Sequence, residues 1–204
     1  SSGVCSSDLV QNGIVENYRE LRKELEAQGH KFVSDTDTEV IPHLIAEFLS
    51  NFAGNQKGET GRRENFLQAV RQTVNKLDGA FAIAVICADY PNEIIVARQQ
   101  APISIGLGQG EFFCASDTPA LISHTQVVVS LDNGEMARLT PLGVEVYNFD
   151  GDRINKLPRI LNWSPNLVDK NIFKHFMLKE IFEQPKNCVS DFEVNDTTPV
   201  VLSK

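Results

Sequence analysis

The hydrophobic pattern of this chain changes at Gly79, and this change restricts its fold more than any other feature. Before Gly79, apolar residues recur at helical spacing. After it, short apolar runs separated by Gly, Pro, Asn and Asp predict seven strands, over residues 80–88, 93–99, 103–107, 111–115, 126–131, 135–140 and 144–149. Helices and strands segregated in this way indicate an α+β fold, with antiparallel sheets stacked face to face and helices outside.

Apolar stripes and end signals predict four helices: from Glu16 to Gly29, after Thr36, over residues 64–77 and over residues 174–184. A short strand is predicted around residues 31–33, between the first two helices. Thr36 and Glu39 have the spacing of a capping box, in which the N-cap side chain and the third helical residue satisfy each other's backbone N–H groups. We therefore expect the second helix to begin directly after Thr36.

Composition excludes several functional classes. The 204 residues allow one full domain plus a tail, and the net charge of −8 opposes any broad attraction to nucleic acid or anionic lipid. No apolar stretch approaches the ~20 residues that span a bilayer, so we expect a cytoplasmic protein with no membrane partner. The cysteines lack CxxC spacing and the histidines lack metal-ligand spacing, which favours neither a disulfide framework nor a metal site. Surface or packing roles are expected for all four histidines.

The glycines of the segment 106–110 alternate as in some nucleotide-binding loops. A phosphate-binding loop must open onto a helix N-terminus, whereas this segment opens onto the apolar run 111–115. It therefore predicts a β-hairpin.

Asn12, Gly13 and Asp37 are the candidate functional residues. Asn12-Gly13 alone is typical of a tight turn at a strand end, and Asp37 alone is typical of a charge at a helix N-terminus. Together they suggest a catalytic site, because an amide side chain beside a backbone N–H can hold a developing oxyanion. An aspartate at a strand-to-helix corner could then hold a substrate ammonium group.

Two segments, residues 12–18 and 34–41, resemble the class II glutamine amidotransferases, which are N-terminal nucleophile hydrolases. Three later segments, residues 105–111, 115–117 and 175–185, are similar to the glutamine:fructose-6-phosphate amidotransferases, also called glucosamine-6-phosphate synthases. The resemblance runs from about residue 10 to about residue 189. The first two segments are shared with phosphoribosyl-pyrophosphate amidotransferases, so residues 175–185 discriminate between the two.

This resemblance implies a four-layer αββα sandwich of the N-terminal nucleophile hydrolase type, here incomplete. It implies a glutaminase that passes ammonia to sugar isomerase domains, with glutamine and fructose 6-phosphate as substrates and no metal or other cofactor. By this resemblance Asn12 and Gly13 form the oxyanion hole, and Asp37 binds the α-amino group of glutamine. A homo-oligomer is expected only for the full-length enzyme.

The sequence departs from the family at the nucleophile, an N-terminal cysteine in a Cys-Gly-Ile-Val strand. Cys5 and Ser1 lie too close to Asn12 to supply that strand. The family's carboxylate-binding arginine and Thr-His-Gly segment have no counterpart here, and Gln11 stands where the family often has histidine. We therefore expect an inactive fragment.

The expected organisation has three parts. Residues 1–9 form a foreign or unassigned leader, and residues 10–160 are the C-terminal part of the glutaminase domain. Residues 161–204 form a terminal helix and linker towards a missing sugar isomerase domain. The alternatives are a phosphoribosyl-pyrophosphate amidotransferase fragment and a non-catalytic regulatory domain.

Overall fold

The structure is a computed structural model that describes residues 7–53, 59–162, 177–178 and 181–182. The described residues contain ten strands: β1 (Ser7–Val15), β2 (Gly79–Cys87), β3 (Ile94–Gln99), β4 (Ser104–Leu107), β5 (Phe112–Ala115), β6 (Val127–Ser130), β7 (Glu135–Thr140), β8 (Gly143–Asn148), β9 (Arg153–Ile154) and β10 (Arg159–Ile160). They also contain three α-helices: α1 (Tyr18–Ala27), α2 (Val40–Ala53) and α3 (Glu59–Val74). The 3-10 helices are Asp37–Glu39 and Thr118–Ala120.

The strands form two antiparallel sheets. The larger has the order β1-β2-β3-β7-β8-β9, and the smaller has the order β10-β6-β4-β5. Strand β1 therefore lies at an edge of the larger sheet. Each of the seven predicted strands is present with bounds that agree to within one residue, whereas β9 and β10 were not predicted.

Three layers are visible in this part of the chain. The three α-helices cover one face of the larger sheet, where Leu25, Ile45 and Phe66 pack against Phe81 and Ile83 in what we call the helix-side core. The smaller sheet covers the opposite face through a second core, the inter-sheet core, which includes Ala82, Val96, Ile105 and Val129. The prediction of an α+β fold with stacked antiparallel sheets is confirmed.

Several predicted details are wrong. Residues 31–33 form no strand, and α1 begins at Tyr18 rather than near Glu16. Helix α3 begins five residues earlier than its apolar stripe. Cys87 is disulfide-bonded, which the spacing of the cysteines did not indicate.

The last predicted helix, 174–184, lies outside the described residues except for residues 177–178 and 181–182, which are helical. Contacts divide the chain into the units Ser1–Trp163 and Ser164–Lys204, and strands β1 to β10 and helices α1 to α3 belong to the first unit. No helix in the described residues is long and apolar enough to cross a membrane.

Candidate functional site

Asn12 and Gly13 lie inside strand β1, and the prediction of a tight turn at this point is wrong. Their backbones pair with Ala82 and Phe81 of β2, and the ladder continues to Val15. A turn signal is local, whereas nine consecutive pairings with the long strand β2 hold the chain extended through it. The edge strand thus carries the two candidate oxyanion residues along the border of the larger sheet.

The two faces of β1 differ in what covers them. Leu9 and Val15 pack into the helix-side core, whereas Val10 and Ile14 on the opposite face are 74% and 64% exposed. Asn12 alternates with these two exposed residues and is itself exposed. Its amide has no hydrogen-bond partner in the described chain, so both its donors remain available.

Gly13 is required by the geometry of the strand. Its φ is +110°, a conformation that side-chain-bearing residues rarely adopt. A Cβ atom placed there would lie 2.0 Å from the carbonyl oxygen of Ala80. Only glycine allows the backbone of β1 to approach β2 this closely.

Asp37 lies beside this strand, as the first residue of the 3-10 helix. Its Oδ2 accepts a 2.8 Å hydrogen bond from the backbone N–H of Val15. The side-chain amide of Gln11 lies 3.5 Å from the same oxygen. The structure therefore brings the half-buried Asp37 to the strand that carries Asn12 and Gly13, although 22 residues separate Asp37 from Val15.

The loop that leads into Asp37 is held by Glu39. The Glu39 carboxylate accepts 2.7 Å hydrogen bonds from the backbone N–H groups of Val33 and Ser34, and also a bond from the Ser34 hydroxyl. The capping-box prediction is wrong in detail: the Thr36 side chain makes no cap hydrogen bond, and Glu39 reaches past Thr36 to the two earlier residues. Burial raises the Glu39 pKa, but these donors outweigh it and lower the pKa to about 2.

His30 and His43 contact each other next to this loop, which the sequence did not indicate. Their Nδ1 atoms are 3.1 Å apart, and Nε2 of His30 lies 3.3 Å from the Glu47 carboxylate. Burial lowers the pKa of His43, the neighbouring His30 lowers it further, and Glu39 partly opposes both. Within the described residues, no group of three or more His, Cys, Asp or Glu side chains could hold a metal ion.

Asn17, at the end of the first motif, has a structural role. Its amide donates to the carbonyl oxygen of Lys76 at 2.8 Å, and its carbonyl oxygen accepts from the N–H of Asp78 at 3.1 Å. These bonds fasten the turn after β1 to the segment that enters β2. Asn17 therefore keeps the two paired strands in register.

The glycine-rich segment 106–110 contains the end of β4 and most of the turn that leads into the antiparallel strand β5, so the hairpin prediction is confirmed. A cavity of about 530 Å³ opens between the sheets near Phe112, Val146 and Arg153. Asn12, Gly13 and Asp37 do not line this cavity; they lie at the open border of the larger sheet instead.

A family model described as a glutamine amidotransferase domain matches residues 5–123. The chain belongs to this family. Among curated members it is 65% identical over 176 residues to the glutamine–fructose-6-phosphate aminotransferase (isomerizing) of Nostoc sp. (strain PCC 9229), a match that covers 86% of this chain and 27% of the relative. The corresponding protein of Aquifex aeolicus (strain VF5) is 48% identical over 195 residues, covering 96% of this chain and 30% of the relative. The chain thus spans less than a third of the length of these relatives.

Solved structures of glutamine amidotransferases share the fold. The glutamine phosphoribosylpyrophosphate amidotransferase from B. subtilis, complexed with ADP and GMP, superposes with a TM-score of 0.56 at 28% identity, covering 73% of this chain and 30% of that one. A second structure, described as the allosteric regulatory enzyme of purine biosynthesis, gives a TM-score of 0.56 at 27% identity, covering 73% of this chain and 30% of that chain. The predicted relation to N-terminal nucleophile amidotransferases is therefore confirmed.

Proposed function

We propose that this chain is part of the glutaminase domain of an enzyme that makes glucosamine 6-phosphate from fructose 6-phosphate and glutamine. The proposal rests on the hydrogen bond between the Val15 N–H and Asp37, because it holds the candidate ammonium-binding carboxylate beside the candidate oxyanion residues. The curated relatives carry this activity in their names, and the 65% identity to the Nostoc protein supports the choice of acceptor sugar.

In this proposal Asn12 and Gly13 stabilise the oxyanion that forms when a nucleophile attacks the side-chain amide of glutamine. The Asn12 amide is exposed and unpartnered within the described residues, as a preorganised donor must be before substrate arrives. Gly13 adds its backbone N–H. When this segment is joined to an N-terminal cysteine strand, Asn12→Ala is expected to lower kcat roughly 100- to 1000-fold.

Asp37 binds the α-ammonium group of the substrate. A carboxylate held by neutral donors keeps its negative charge and can pair with a cation. Residues 1–204 contain no Cys-Gly-Ile-Val strand, so the chain by itself is expected to bind glutamine without releasing ammonia. Ammonia release by the purified chain, abolished by Asn12→Ala, would contradict that expectation.

The alternative of a phosphoribosyl-pyrophosphate amidotransferase fragment has support from the shared fold. The two solved structures are, however, only 27–28% identical to this chain, whereas the aminotransferase of Nostoc is 65% identical. A gene whose downstream part encodes a phosphoribosyltransferase domain would establish it. A non-catalytic regulatory domain is the other alternative, and an upstream sequence without a Cys-Gly start would favour it.

Titration of the 204-residue chain with L-glutamine, followed by amide resonances in NMR, tests the proposal. We expect shifts at Asn12, Gly13 and Val15, and we expect Asp37→Asn to weaken binding about tenfold or more, since a charge-assisted hydrogen bond is lost. Asp35→Asn is the matched control, because Asp35 lies in the same loop with a fully exposed side chain. Equal affinity of Asp37→Asn and wild type would refute the proposed role of Asp37.

A further inference from the structure

We infer that Gln11 is a positioning residue, which holds Oδ2 of Asp37 against β1 so that Oδ1 is the oxygen that receives the α-ammonium group of the substrate. The inference rests on the proposed function, since it assigns an ammonium ligand to Asp37. Gln11 directly precedes the Asn12-Gly13 pair, and the proposed function gives it no role.

The orientation of the Gln11 amide is fixed by its neighbours. Its Nε2 lies 3.4 Å from the carbonyl oxygen of Gly13 and 3.5 Å from Oδ2 of Asp37. Both neighbours can only accept hydrogen bonds, so the NH₂ group must face them. In the opposite orientation Oε1 of Gln11 would face the Gly13 carbonyl oxygen and Oδ2 of Asp37, so that three acceptor oxygens would lie together. Gln11 thereby connects the backbone of the candidate oxyanion residue Gly13 to the carboxylate of Asp37.

This orientation has a cost that indicates a role beyond packing. The Oε1 atom of Gln11 is buried and has no hydrogen-bond partner in the described part of the chain. A buried polar atom without a partner destabilises a fold, and an apolar side chain would avoid that penalty. Leu9 and Val15, on the same face of β1, are apolar and pack into the helix-side core. What Gln11 adds at this position is therefore the contact of its NH₂ group with Gly13 and Asp37.

The two oxygens of Asp37 consequently differ. Oδ2 faces two donors, the Val15 N–H at 2.8 Å and the Gln11 amide at 3.5 Å. Oδ1 receives no hydrogen bond from the described residues. Both donors are neutral, so neither of them compensates a charge on the carboxylate, and Oδ1 can accept from an ammonium group. Without the Gln11 contact, the Val15 N–H would be the one remaining donor to Oδ2 among the described residues, and the direction of Oδ1 would be less tightly fixed.

Two ligands that differ only in the α-amino group test the inference on the 204-residue chain. L-glutamine carries that group, and 4-carbamoylbutanoate lacks it. We expect Gln11→Met to weaken L-glutamine binding roughly 3- to 10-fold and to leave 4-carbamoylbutanoate binding unchanged, since only the first ligand uses Asp37. Gln11→His should stay within about twofold of wild type for both ligands, because the imidazole N–H can donate in place of the amide.

Gln28→Met is the matched control, because Gln28 is an exposed glutamine at the end of α1. If Gln11→Met does not fold, as judged by circular dichroism, Gln11→Asn provides the same comparison with a shortened amide. Equal weakening of both ligands would show a merely structural role and overturn the inference, and so would no weakening of either. If Asp37→Asn binds L-glutamine as well as wild type, the proposed function itself fails.

Discussion

The backbone N–H of Val15 donates a 2.8 Å hydrogen bond to Oδ2 of Asp37, and this contact connects the end of β1 to the start of the 3-10 helix. Alternate N–H groups of an edge strand point away from the sheet and need partners. Asp37 satisfies one of them with a carboxylate instead of another strand. The same residue can then serve both the fold and the proposed site.

Substitutions of Asp37 should separate these two roles. Asp37→Asn keeps an oxygen that can accept from the Val15 N–H, whereas Asp37→Ala leaves that donor without its partner. We expect Asp37→Ala to lower the free energy of unfolding by about 1–3 kcal/mol and Asp37→Asn to lower it by less than about 1 kcal/mol. Urea denaturation measures both, with Asp35→Ala as the control. Equal destabilisation by Asn and Ala would mean that the charge itself supports the fold.

Gly13→Ala should be strongly destabilising. The new Cβ would lie 2.0 Å from the Ala80 carbonyl oxygen, so β1 would have to move away from β2. Gly29→Ala is a matched control, since Gly29 also has a positive φ, +97°, but a methyl group added there would meet no atom within 4 Å.

The control isolates the steric clash from backbone strain. We expect about 1–3 kcal/mol of strain at Gly29, and at Gly13 a further loss of about 1–3 kcal/mol from overpacking. Thermal denaturation of the two variants measures the difference. Equal melting temperatures would show that β1 accommodates the methyl group by a shift that costs nothing.

Glu39 should make stability sensitive to acid. Although burial raises its pKa, the donors of Val33 and Ser34 lower it to about 2, below the ordinary value of 4.5. The folded state therefore binds this proton less readily than the unfolded state, and the stabilisation is complete above pH 4.5 and lost as pH falls towards 2. We expect Glu39→Gln to cost about 1.5–3 kcal/mol at pH 7 and progressively less below about pH 4.5. Glu24→Gln, at an exposed site on α1, should show neither effect in urea titrations at several pH values.

The strands could be predicted because their signals are local. Gly134, in the turn before β7, has a φ of +75°, which the Asp-Asn-Gly sequence supplies without help from the rest of the fold. The same kind of signal predicted a turn wrongly at Asn12-Gly13, where pairing with β2 keeps the strand extended. Strands β9 and β10 have only two residues each, too few for an alternating pattern to be recognised.

The candidate site could be predicted only in part. Local chemistry and the resemblance together indicated Asn12, Gly13 and Asp37, but nothing local indicates that Val15 and Asp37 are bonded. That contact depends on how the loop after α1 returns to the edge of the sheet. The histidine contact was missed for the same reason, because His30 follows α1 and His43 lies on α2. Contacts between elements depend on packing, which spacing along the chain does not encode.

His43 should make stability fall as the solution becomes mildly acidic. Burial and the neighbouring His30 lower the pKa of His43 below its ordinary value of 6.5, and the attraction of Glu39 only partly offsets them. The unfolded state then binds this proton more readily, so stability is complete above pH 6.5 and decreases as pH falls through 6.5 to the lowered pKa. His43→Gln should flatten this slope below pH 6.5, whereas His124→Gln, at an exposed site, should keep it. Urea midpoints measured across this range test the sign, and an unchanged slope in His43→Gln would assign the titration to another group.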